Sequence, residues 1–78
     1  MSKSTTFSLN QRIAQLLAAE RKRRGLTQAN VAAKLKKPQS FVSKYENGQR
    51  QLALADFIEV CGALTLKPAD FFKELDKR

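Results

Sequence analysis

Leu9, Ile13, Leu16 and Leu17 recur at three- and four-residue steps with polar residues between them. That spacing gathers the apolar side chains into one stripe of a helix. Ser8 and Gln11 form a capping-box pattern, in which each can satisfy the other's unpaired backbone N–H, so the helix is predicted from about Ser8 to Arg24. Arg21, Lys22, Arg23 and Arg24 fill its last turn, where cations suit the helix dipole. Gly25 is placed to end it in a left-handed conformation. Thr27 can cap a second helix whose inner face is Val31, Ala32 and Leu35. The break at Lys36–Pro38 is short, because proline disfavours helical geometry in the residue before it. A third helix is predicted from about Gln39 to Glu46, with Val42 and Tyr45 or Phe41 inward, stopping at Asn47-Gly48. In a fourth, about Ala53 to Leu64, the residues Leu54, Phe57, Ile58, Cys61 and Leu64 keep the same period. Pro68 suits the first position of a fifth, about 68–77, with Phe71, Phe72 and Leu75 on one side. No period-two alternation appears. The expected fold is all-α, a compact five-helix bundle forming one domain over 8–78 behind a loose, polar tail, Met1–Phe7.

Charge changes the picture more than size does. Residues 1–50 carry eleven Lys or Arg against Glu20 and Glu46, a net of +9, whereas residues 51–78 carry four cations against five acids, a net of −1. One basic part and one neutral part point to two different partners. The plainer reading is a basic protein kept soluble by its charge. The sequence has no histidine and one cysteine, Cys61, so the usual groups for general-base, triad or metal chemistry are nearly absent and an enzyme is not expected. A lone cysteine forms no internal disulfide. No apolar run approaches the roughly 18–20 residues that span a bilayer, and no signal-peptide core follows Met1. The expectation is a soluble, cytoplasmic protein with no membrane partner, no cofactor and no evident small-molecule ligand.

The third helix raises the question of function. Its outer positions are Gln39, Ser40, Ser43 and Lys44, small or amide side chains where a surface helix more often carries paired charges. A helix in the major groove reads base edges with side chains of this kind. Gln39 can form the two-bond amide pairing to adenine, Ser40 can donate or accept at several edges, and Lys44 can reach a guanine edge or a phosphate. Taken alone, the same face serves equally well as a solvated surface. Two short helices joined by about three residues must cross steeply, which is the helix-turn-helix arrangement.

The run GLTQANVAAKLKKPQSFVSKYENGQR carries Arg21 four residues before Gly25, then Gly25-Leu26-Thr27-Gln28, Ala32, Leu35, Ser40, Val42-Ser43, Glu46, Gly48 and Arg50. This set resembles the helix-turn-helix family of phage Cro and repressor proteins, including small XRE-like bacterial regulators, and PADFFKEL looks like its fifth-helix ending. The likeness extends over roughly Leu9 to Leu75. It implies a lambda-repressor-like DNA-binding domain with Gln39, Ser40 and Lys44 reading bases and Ser43 as a second choice. It also implies that Gln28 clasps a backbone phosphate, at a helix start where free N–H groups favour an anion. Thr27, Lys36, Lys37, Asn47, Gln49 and Arg50 are further phosphate candidates, although any single lysine is more often merely solvated. Asn47 offers both its amide and its main-chain N–H. In the family the first-helix arginine commonly pairs with the glutamate ending the third, which implies a structural pair between Arg21 and Glu46. Two positions depart from the pattern. Lys36 stands where many relatives have glycine, and Pro38 where a capping serine or threonine is frequent.

One such domain touches only a few base pairs, so the resemblance implies a homodimer reading two half-sites. The neutral C-terminal part is the natural seam, with Leu54, Phe57, Ile58, Phe71, Phe72 and Leu75 as interface candidates. The alternative is that the two phenylalanines close the core. The expected function is a dimeric repressor or autoregulator binding double-stranded DNA, and hence nucleoid-associated. The alternatives are an antitoxin using the same DNA-binding unit, although no toxin-binding tail stands beyond Lys77-Arg78, and a protein-binding adaptor. RNA is disfavoured, because the reading face has no exposed aromatic residues on which single-stranded bases stack.

Overall fold

Where each helix stops is decided by a few residues with special backbone geometry. The computed structural model describes the backbone of residues 2–77 and the side chains of residues 8–77. Five helices follow in order: α1 (Ser2–Arg23), α2 (Gln28–Leu35), α3 (Gln39–Glu46), α4 (Leu54–Ala63) and α5 (Pro68–Lys77), with no strand among the described residues. Gly25 ends α1 at φ +70°, where the left-handed region favours glycine, and the N–H of Leu26 bonds Arg21 O at 3.2 Å. Thr27 caps α2, and the cap is reciprocal: Thr27 Oγ1 accepts from Asn30 N–H, and Asn30 Oδ1 accepts from Thr27 N–H, both at 2.9 Å. Lys36 is left-handed at φ 58°, ψ 43°, so the position often given to glycine does need that geometry here. Pro38 precedes α3 with no side-chain cap.

α1 begins at Ser2, not at Ser8. The segment Ser2–Phe7 holds neither glycine nor proline, so nothing interrupts propagation and Ser8 becomes an interior residue instead of a cap. The backbone of residues 2–7, expected as a loose tail, is helical; Met1 lies outside the described residues.

The core is one cluster drawn from every helix: Leu17 from α1, Val31 and Ala32 from α2, Phe41, Val42 and Tyr45 from α3, Phe57, Val60 and Cys61 from α4, Leu64 just after it, and Phe71 from α5. Leu17, Leu64 and Phe71 are almost wholly withdrawn from water, each gaining on the order of 1.5–3 kcal/mol by it. α2 packs chiefly on α3, and α1 braces α3 from behind. Phe57 meets Phe71 edge-on with centroids 5.1 Å apart, fastening α4 to α5.

The inner stripe of α4 keeps Phe57, Cys61 and Leu64 as expected but is turned toward Val60 and away from Leu54 and Ile58. Val60 is fully buried, while Leu54 and Ile58 are 71% and 46% exposed. The helix LADFIEVCGA is apolar on nearly every side, so spacing alone admits two stripes, and packing against α2 selects Phe57, Val60, Cys61 and Leu64. Two of the expected interface residues, Phe57 and Phe71, are therefore core residues that back a surface patch instead of forming it. No helix among the described residues is long and apolar enough to cross a membrane.

Candidate nucleic-acid interface

α3 is an eight-residue helix with Phe41, Val42 and Tyr45 buried, which fixes its opposite side outward. Gln39, Ser40 and Lys44 are exposed and Ser43 is half-buried. An isolated helix this short is not stable in water, so its direction is set by its neighbours. The principal tether is Glu46 at its last turn. Arg21 of α1 grips that carboxylate with two hydrogen bonds, Nε to Oε2 at 2.7 Å and Nη2 to Oε1 at 3.0 Å. Arg21 Nη1 also donates to Leu26 O at 2.8 Å. Gln28 of α2 adds a third donor to the carboxylate, Nε2 to Oε1 at 3.1 Å. The Arg21 and Glu46 side chains retain only 11% and 7% of their exposure. The hydrogen bonds that Arg21 donates to Glu46 raise its pKa above the already high value, outweighing the opposing effect of burial. Burial, with the neighbouring Glu46 charge, likewise pushes the Tyr45 hydroxyl up, so it stays neutral.

The amide of Gln28 is shared. While its nitrogen holds Glu46, its Oε1 accepts from Gln39 Nε2 at 3.3 Å. Gln28 and Gln39 thus form a chain leading from the partly buried pair to the outer face of α3. Sequence spacing does not reveal this chain. Asn47 is also more occupied than expected: its main-chain N–H donates to Ser43 O at 3.1 Å and its Oδ1 accepts from Gln49 N–H at 3.1 Å. Only its amide N–H groups remain to offer. Thr27 is exposed, but its hydroxyl serves the α2 cap.

Of the remaining cations, Lys37 and Arg50 flank opposite ends of α3 and both approach the Phe41 ring, with Lys37 Nζ 5.1 Å and Arg50 Cζ 4.9 Å from its centroid. Lys36, Lys44 and Gln49 are exposed, and neither lysine has an ion pair among the described residues. Asp56, not singled out from sequence, approaches Arg50 at 3.9 Å. Elsewhere Glu20 is held between Arg23 and Arg24. Its carboxyl lies below the usual range, because the hydrogen bonds from those two arginines outweigh the burial that would raise it.

The second exposed region is apolar. Leu54, Ile58 and Phe72, the last 50% exposed, form a patch across α4 and α5, with the rings of Phe57 and Phe72 5.5 Å apart. Leu75, another of the expected interface residues, is half-buried and packs against the core. A cleft of about 390 Å³ opens beside Leu54 and Phe72, floored by Ala14, Leu17, Tyr45 and Phe71.

The fold is shared with known proteins. A helix-turn-helix family profile matches residues 17–71. An XRE-family like protein from Pseudomonas syringae pv. tomato str. DC3000 is 34% identical, superposes with a TM-score of 0.90, and the match covers 97% of this chain and 93% of that one. A single-residue mutant of the restriction-modification controller protein C.Esp1396I is 25% identical with a TM-score of 0.84, over 88% of this chain and 87% of that one. The same controller, at 23% identity and a TM-score of 0.84 over 88% and 91% of the two chains, was also solved as a tetramer in complex with its natural 35 base-pair operator. No curated protein sequence matches. The profile match over 17–71 and the 34%-identical structure show that the chain belongs to the XRE-like helix-turn-helix family.

Proposed function

We propose that this protein is a transcriptional regulator that binds double-stranded DNA sequence-specifically, acting as a dimeric repressor or autoregulator in the cytoplasm, with no catalytic role. One observation carries the reading: Gln39, Ser40 and Lys44 face solvent together on a helix whose tilt is fixed from behind by the Arg21–Glu46–Gln28 bonds. A reading helix needs exposed hydrogen-bonding groups on a rigid support, and this one has both. Gln39, Ser40, Lys44 and, more marginally, Ser43 read bases. Lys36, Lys37, Gln49 and Arg50 supply phosphate contacts, with Gln28 contributing the amide N–H that its bond to Glu46 leaves, and Thr27 and Asn47 what their caps leave free. The controller protein C.Esp1396I, seen on operator DNA, supports the same use of the fold.

The Leu54–Ile58–Phe72 patch is the dimer seam in this reading. It lies in the neutral part of the chain, where two copies meet without the repulsion that the basic part would impose. Selection of bound sites from random duplexes tests the whole. The expected result is a palindrome with half-sites about one helical turn, ~34 Å, apart. Failure to enrich any duplex would sink the proposal.

A further inference from the structure

Lys37 and Arg50 are thirteen residues apart, on the turn before α3 and the loop after it, yet both cationic groups lie over one ring. Phe41 is largely buried and its ring also packs edge-on against Tyr45, centroids 5.6 Å apart, so it is a fixed platform. The negative face of an aromatic ring attracts cations, and a fixed ring restricts where they sit. Arg50 is still half exposed. Its nearest carboxylate, Asp56, stands 3.9 Å from Nη2, close enough to attract and too far for a hydrogen bond. The guanidinium therefore keeps its donors for another anion.

We infer that Lys37 and Arg50 form a single phosphate seat beside the reading helix, with Phe41 as the positioning residue that gathers them and Asp56 as an internal carboxylate that competes with the DNA phosphate. The inference rests on the DNA-binding reading above and assigns roles to two residues, Phe41 and Asp56, that touch no base. Phosphate contacts supply affinity without sequence information, so both residues tune how tightly all duplexes are held and not which one is preferred.

A double-mutant cycle on one selected duplex, with dissociation constants measured between low and moderate salt, tests it. Phe41→Leu, which keeps an apolar side chain and removes the ring, is expected to weaken binding about fivefold. In a Lys37→Gln/Arg50→Gln background the same change should have almost no further effect, because no cations remain to gather. Equal loss in both backgrounds would mean that Phe41 acts only through the core, and would overturn the seat. Should Phe41→Leu fail to fold by circular dichroism, Asp56→Asn decides. It is expected to tighten binding to all duplexes about threefold, most at low salt, and to lose that gain when Arg50→Gln is added. Unchanged or weakened binding by Asp56→Asn would overturn the competition. A wild-type chain that binds no duplex would instead remove the DNA-binding reading itself, an outcome distinct from additivity in the cycle.

Discussion

α3 and the α4–α5 patch proposed as the dimer seam both present exposed faces, yet they are built from opposite materials. The face of α3 is amide, hydroxyl and ammonium, with cations gathered at its flank; the seam is leucine, isoleucine and phenylalanine in the part of the chain with a net charge of −1. A polar face on a basic flank fits a polyanion with hydrogen-bonding edges. An apolar patch beside an apolar cleft fits protein. The supports differ as well. α3 is held by a partly buried ion pair, whereas the seam is backed by aromatic packing of Phe57 and Phe71. Exposure alone therefore says little about function; what stands behind the exposed groups says more.

The most damaging change should be Glu46→Ala. It leaves Arg21 a partly buried, uncompensated cation and frees the Gln28 nitrogen, costing about 3 kcal/mol and lowering Tm on the order of 10–20 °C. The rank order of bound sequences in the folded fraction should be unchanged. Unaltered melting with altered preference would reverse the roles assigned to the buried pair and the outer face. Gln39→Ala should lose ~1–3 kcal/mol on the selected site and relax choice at one base position, while self-association stays as it was. Binding measured on single-position variants of that site checks this.

Phe72→Ala should do the converse. Half-exposed, the ring contributes little to the monomer fold, but its loss should weaken self-association by about 1–2 kcal/mol. Light scattering at tens of micromolar should then report the monomer mass, with base preference intact. A wild-type protein that is monomeric with and without DNA would break the contrast from the seam side. The smallest effect is expected from Lys36→Gly. Relief of the left-handed strain, offset by the greater freedom of glycine in the unfolded chain, should raise stability by roughly 0.5 kcal/mol, read as a few degrees in Tm. It should also weaken all duplexes slightly through the lost charge.

Much of this was legible from residue order. Pro38 and Asn47-Gly48 bracket α3 so tightly that its bounds follow from them, and Gly25 and Thr27 mark the turn before α2 as clearly. α1 and α4 were less readable for opposite reasons. Before Ser8 there is no stop signal, so a good cap residue was mistaken for a start. In α4 there are too many apolar residues, and a period cannot choose between Leu54–Ile58 and Val60 when both sides qualify. The reciprocal cap between Thr27 and Asn30 was visible in the three-residue spacing but carries asparagine where glutamate or glutamine is the usual signal. Within the site, residue types pointed to the outer face of α3. The Gln28–Gln39 link and the approach of Asp56 to Arg50 depend on how separate helices meet, which no local pattern encodes.

The carboxylate of Glu46 has a further consequence. It sits on α3 and is gripped from both α1 and α2, so the reading helix cannot tilt without breaking bonds to two neighbours at once. In the DNA-binding reading proposed above, α3 meets the operator as a stiff stylus. Bending and groove-width changes then fall to the duplex, and base pairs that no side chain reaches will still influence affinity through their flexibility.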